Sequence, residues 1–145
     1  MINAPLHTIV VAASGAVTAS GNSGAVLIQP GLPVQVLTFE VAVTAASGTT
    51  PTLDLYLQES LDGGTTFVDL AHLAQITAAL TNPTRVSFAA RELTQASDAI
   101  HAGVGDATTS AGQLSGLPLV SNVVRAKWVV GGTTPSFTMA VTAYA

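Results

Sequence analysis

The sequence predicts an all-β fold: an antiparallel β-sandwich or jelly-roll-like domain carrying a long Ala/Ser/Gly-rich insertion. Three observations predict it. Apolar residues alternate with period two from end to end, while helical periodicity is scarce. Clusters of Thr, Ser, Gly and Pro cut the chain at short intervals, as turns between strands do. The octet Ser60-Leu61-Asp62-Gly63-Gly64-Thr65-Thr66-Phe67 has the composition of a tight turn between two such alternating runs.

Length and composition bound the rest. At 145 residues the chain reads as one domain, 1–145, long enough to bury a core without staples. It has no cysteine, which excludes disulfides and thiolate metal sites. Only 8% of residues are charged, against roughly 25% in an average soluble domain. A surface of Ala, Thr, Ser, Gly and Val suits burial against copies of the chain or a large partner. The net charge is −4 with only four Lys and Arg, which argues against nucleic acid as a partner, since phosphate contacts need a basic patch. No apolar run reaches the ~18 residues of a membrane helix. The first residues lack the charged and long apolar regions of a signal peptide, so synthesis and retention in the cytoplasm are expected.

In chain order, 1–31 is read as an N-terminal arm or as one or two edge strands. Its apolar runs, Ile9 to Ala13 and Ala25 to Ile28, are broken by Ser14-Gly15 and Gly21-Asn22-Ser23-Gly24. Val34 to Val43 is a strand with Phe39, Val41 and Val43 on one face. Ala46 to Pro51 reads as a turn, followed by a strand from Thr52 to Glu59 with Leu53, Leu55 and Leu57 on one face. After the octet, Phe67 to Leu70 returns as a third strand of a meander. Ala71 to Leu80 is ambiguous, because Leu73, Ile76 and Leu80 have helical spacing over a short span. Thr84 to Ala89 is a further strand.

Residues 91–119 read as a projecting insertion, rich in Ala, Ser, Thr and Gly, with a short helix expected at Glu92 to Ile100; connections this long are usually functional. Val123 to Val130 alternates with Val124, Ala126, Trp128 and Val130 inward and Arg125 and Lys127 outward. Gly131-Gly132-Thr133-Thr134-Pro135 reads as a hairpin turn into a final strand with Phe137, Met139, Val141 and Ala143 on one face. No internal repeat is read.

The candidate chemistry is sparse. Asp54 and Glu59 fall on opposite sides of one strand and do not form an acid/base pair. His7, His72 and His101 lie in separate segments without metal-ligand spacing. No Gly-x-Ser-x-Gly elbow occurs, and Ser97-Asp98-Ala99-Ile100-His101 is adjacency rather than triad geometry. Trp128 reads as core by its alternation. Arg125 and Lys127 are expected to pair with Asp54 or Glu59 across neighbouring strands, at ~0–1 kcal/mol for an exposed pair. The expectation is no enzyme, no cofactor and no metal site.

The spacing Ser60-x-Asp62-x-Gly64-x-Thr66-Phe67 resembles the Asp-box of sialidases and other β-rich proteins. There the aspartate ties the turn and the aromatic residue opens the returning strand, a folding device away from any active site. Two longer stretches, Leu53 to Leu70 and Val123 to Val141, resemble small virion proteins of tailed bacteriophages. Head decoration (cement) proteins of this size are β-sandwich or β-tulip trimers seated on the capsid. The resemblance therefore implies a non-enzymatic virion protein, made in the host cytoplasm. Its partners would be the major capsid protein and copies of itself as a homotrimer, without nucleic acid or membrane. Contacts are expected from the N-terminal arm and the insertion, through Leu6, Ile9, Val10, Ile100, Leu114 and Leu117. The alternatives are a phage tail or neck component, or a carbohydrate-binding β-sandwich module.

Overall fold

The computed structural model describes residues 7–28, 36–89, 104–116 and 119–145. The expected helix at Glu92 to Ile100 lies outside them. The described residues contain no helix; their strands are β1 (Thr8–Val17), β2 (Gly21–Asn22), β3 (Val26–Leu27), β4 (Val36–Glu59), β5 (Val68–His72), β6 (Thr84–Ala89), β7 (Gln113–Leu114) and β8 (Val123–Tyr144). All-β is correct. Hydrogen bonds run unbroken through one eight-stranded antiparallel sheet, in the order β1-β8-β4-β5-β7, with β2 and β3 also on β8 and β6 also on β4.

The two long strands define the molecule. β4 and β8 pair antiparallel from Thr38↔Tyr144 to Glu59↔Val124. A straight 24-residue strand would span about 80 Å. Both strands are instead bulged at their middles, where the register shifts at Val43/Ala45, Ser47/Thr49 and Thr49/Thr52. The turns expected at Ala46 to Pro51 and at Gly131 to Pro135 are therefore not hairpins. They are bulged segments of two continuous strands, and they lie against each other: Ser47 faces Ser136, Thr49 faces Thr133 and Thr52 faces Gly131.

The reason is legible in the residues. Gly48-Thr49-Thr50-Pro51 and Gly132-Thr133-Thr134-Pro135 are the same tetrapeptide. In both, the glycine and the second threonine have positive φ, at 113° and 48° in β4 and at 103° and 48° in β8. Proline cannot donate to a ladder, and positive φ turns the chain out of the pleat. A Cβ on Gly48 would sit 2.7 Å from the Thr134 carbonyl oxygen, and one on Gly132 would sit 2.5 Å from that of Thr50. Each glycine thus makes room for the other strand, and the crossing has a local two-fold.

That two-fold extends outward. After each proline the same core positions follow: Leu53, Leu55 and Leu57 in β4, and Phe137, Met139 and Val141 in β8, all buried. β5 flanks the second half of β4 as β1 flanks the second half of β8. β6 flanks the first half of β4 as β2 and β3 flank the first half of β8. The sheet is two similar halves joined through the crossing, and one hydrophobic cluster holds buried residues of both. Phe39 and Phe88 meet there edge to face, with ring centroids 5.9 Å apart.

The segment 73–80, ambiguous in sequence, is extended along the edge of β4. Leu73 donates to the Leu55 carbonyl, Ile76 bridges Leu53, and Leu80 donates to the Val43 carbonyl. Leu73, Ile76 and Leu80 pack on the core because this edge, and not helical periodicity, sets which side faces it. The N-terminal region supplies an edge strand, β1, bulged between Val10 and Gly15. The described part of the region read as a projecting insertion does not project. Gly105, Gly112 and Ser115 hydrogen-bond to Asp69, His72 and Leu70, and β7 pairs with β5.

Candidate functional site: a polar layer under the 104–116 segment

In the half of the sheet containing β5, both faces of β4 are covered. Leu53, Leu55, Leu57 and Glu59 face the core, so strand alternation puts Asp54, Tyr56 and Gln58 on the other face. Register places Lys127 and His72 on either side of Tyr56, and Arg125 and Asp69 on either side of Gln58. The segment 104–116 lies over this row.

Asp69, fully buried, is the anchor. Its Oδ1 accepts from Gln58 Nε2 at 2.7 Å and from the Ala107 amide at 3.0 Å. Its Oδ2 accepts from the Thr108 and Thr109 amides, both at 2.8 Å. Gln58 Nε2 also donates to Asp106 Oδ1 at 2.7 Å, and Gln58 Oε1 accepts from Arg125 Nε at 2.7 Å. Asp106 takes Lys127 Nζ at 2.8 Å and the Arg125 guanidinium at 3.3 Å. Desolvation pulls the Asp106 carboxyl upward, but hydrogen bonds from Lys127 and Gln58 and the charges of Lys127 and Arg125 hold it below its ordinary value. Arg125 also lies 3.8 Å above the Phe67 ring.

At the other end His72 stacks on Tyr56, centroids 3.9 Å apart at 24°. His72 Nδ1 is 2.8 Å from the Thr109 carbonyl oxygen and Nε2 is 3.2 Å from Asp54 Oδ1, while Gln75 donates to Asp54 Oδ2 at 3.1 Å. Burial, then the carboxylates of Asp54, Asp69 and Asp106, raise the Tyr56 hydroxyl above its ordinary range.

The octet turn forms as the spacing implies. Ser60 Oγ donates to Asp62 Oδ1 at 2.8 Å and accepts from the Gly64 amide at 2.7 Å. The Thr65 and Thr66 amides and the Thr66 hydroxyl donate to the Asp62 carboxylate, the last at 2.6 Å. The Thr66 hydroxyl first, then its amide, Ser60 and Thr65, hold the Asp62 carboxyl far below the ordinary range. Phe67 is buried at the end of the turn. On the core face, buried Glu59 accepts from the Val120 and Ser121 amides, both at 3.0 Å. Burial raises its carboxyl, and these two hydrogen bonds only partly oppose that.

Several sequence expectations change. Arg125 and Lys127 pair with Asp106, not with Asp54 or Glu59, because Glu59 faces the core and Asp54 is spent on His72 and Gln75. Trp128 is half-buried against the core, its indole donating to the Ala19 carbonyl at 3.1 Å. Asp69, His72, Gln58 and Asp106 were not recognised as one cluster. The alternation Asp54-Tyr56-Gln58 opposite three leucines is also what a solvent-facing strand shows, so it gave no signal of the covering segment.

Of the expected partner contacts, Ile9 is half-buried, while Val10 and Leu114 are 60% and 61% exposed. Val10 is on β1 and Leu114 on β7, the two ends of the strand order. Leu6, Ile100 and Leu117 lie outside the described residues. A groove of about 510 Å³ runs beside Leu114, lined by His72, Gln75, Ile76, Val86 and Gly112.

Chemically the layer is a clasp. Its carboxylates accept from backbone amides, from the Gln58 and Gln75 side chains and from Lys127 and Arg125, and both nitrogens of His72 lie within hydrogen-bond distance of an oxygen. Among the described residues, no three His, Asp or Glu side chains are grouped to hold a metal ion. No family model, no curated protein and no solved structure matches the chain.

Proposed function

We propose that the chain is a non-enzymatic phage virion protein, a head decoration (cement) protein that binds the major capsid protein as a homotrimer and stabilises the shell. The observation that carries this reading is the placement of Val10 and Leu114. They are large, exposed apolar side chains on the two outermost strands of a chain that is only 8% charged. A ring of three copies needs two different surfaces on each copy, one meeting the other around the axis. Opposite sheet edges supply such a pair, and many weak contacts repeated around a ring add up to avidity on a shell. The buried polar groups support the same reading, since they are used to hold the 104–116 segment to the sheet. We also infer that the two halves of the sheet bend at the Gly-Thr-Thr-Pro crossing to face each other as a sandwich, because a single cluster holds buried residues of both.

The carbohydrate-binding alternative asks for an exposed aromatic platform. Tyr56 is buried beneath His72, and Trp128 packs within 3.4 Å of the position a Gly21 Cβ would take. A tail or neck position remains the alternative within the virion.

The test is co-sedimentation of the purified chain with head shells assembled without it. Saturable binding that Val10→Asp and Leu114→Asp each weaken tenfold or more, a loss of about 1.4 kcal/mol, is expected. Absence of binding at micromolar chain would overturn the capsid reading.

A further inference from the structure

His72 is only 6% exposed, and both of its ring nitrogens face oxygen acceptors. The Thr109 carbonyl at 2.8 Å carries no hydrogen, and neither does an ionised Asp54 carboxylate at 3.2 Å. A neutral imidazole has one N–H, so it would aim a lone pair at one of those oxygens. The contacts close only when the pair holds one proton more than a neutral ring and an ionised carboxylate, as an imidazolium against Asp54.

Charge in the layer says the same independently. Facing His72 and along its row are Asp54 and Tyr56 from β4, Asp69 from β5, Gln75 from the following segment, Asp106 from the covering segment, and Arg125 and Lys127 from β8. Among these, three carboxylates meet two fixed cations. One further positive charge, on His72, balances the layer.

We propose that the His72–Asp54 pair is a proton-operated latch that ties the 104–116 segment to β4 through the Thr109 carbonyl while the extra proton is held, and that releases residues 110–114 when the proton leaves. The other end is held separately, because Asp69 binds the amides of Ala107, Thr108 and Thr109. Release moves the part carrying the Gly112 amide bond to the His72 carbonyl and the β7 pairing, and widens the groove beside Leu114. The sign follows from the proton count: the latch stabilises the closed segment at low pH and loses that contribution as pH rises past the point where the pair gives up its proton. If Leu114 is a partner contact, which rests on the decoration reading, the latch couples pH to assembly.

The experiment follows the imidazole nitrogen resonances of His72 and the exchange of the Thr109, Gly112 and Gln113 amides in the full chain, from about pH 5 to about pH 9. Two protonated ring nitrogens are expected at the low end. When the ring loses a proton, Gly112 exchange should rise tenfold or more beyond the intrinsic base-catalysed increase. Asp54→Asn replaces the carboxylate with an amide that can donate to a neutral ring, so in that variant the step should vanish while the segment stays protected. A ring that is neutral across the range, protection that never changes, or an unchanged step in Asp54→Asn would each overturn the proposal, and none of them bears on shell binding.

Discussion

Thr49 of β4 and Thr133 of β8 stand opposite each other at the centre of two identical Gly-Thr-Thr-Pro segments. Around that pair each glycine yields space to the other strand's second threonine carbonyl. The arrangement makes two local irregularities coincide, and strands of 24 and 22 residues serve two halves of one sheet.

The crossing predicts a sharp asymmetry between substitutions at positions that face each other across it. Gly132→Ala would put a Cβ 2.5 Å from the Thr50 carbonyl oxygen at φ 103°. It should cost at least about 2 kcal/mol. Thr50→Asn, at φ 48°, replaces a β-branched residue with one that tolerates this conformation. It should be neutral or stabilising by up to ~1 kcal/mol. Urea unfolding of both variants checks the pair.

Asp62 predicts a pH dependence at the acid end. Its carboxyl is depressed by the Thr66 hydroxyl and its other donors, so its stabilising contribution is present above the ordinary aspartate value and is lost as pH falls towards the lower folded value. At pH 7 Asp62→Ala should lower the urea midpoint. The gap from wild type should narrow steadily below about pH 4.

Glu59 predicts the opposite sign. Burial raises its carboxyl, so protonation favours the folded chain, and its ionisation costs stability as pH rises through the folded value. Glu59→Gln keeps an acceptor for the Val120 and Ser121 amides and should match or exceed wild-type stability at pH 8. Glu59→Ala leaves both amides without that acceptor. It should cost about 1–3 kcal/mol. Thermal melts at pH 5 and pH 8 separate the two.

Asp69 predicts which part of the molecule loosens first. Asp69→Ala removes the acceptor of three amides and of Gln58 from a fully buried site. A loss on the order of 3 kcal/mol is expected. Amide exchange should rise first at Ala107 to Thr109, while the amides of β4 facing the first half of the sheet keep their protection.

Local patterns carried the strands but not the way they continue. Thr84 to Ala89 was legible to the residue, because period-two alternation and Asn82-Pro83 leave no competing reading. Gly-Thr-Thr-Pro misled, since glycine, proline and positive φ mark bulges as well as turns; the repeat of the tetrapeptide was the missing clue. The octet was legible because its side-chain hydrogen bonds are all made within it. The polar layer was not, because Asp69 binds amides about 40 residues further along the chain. Arg125 was placed correctly on the outer face, but its partner Asp106 comes from a segment that sequence alone gave no reason to lay there.

The measurement that tests the assembly reading most directly is the solution mass of the purified chain by light scattering. The account predicts a trimer near three times 14.5 kDa, reduced by Val10→Asp or Leu114→Asp. A stable 14.5 kDa monomer at tens of micromolar, unchanged by either substitution, would contradict it.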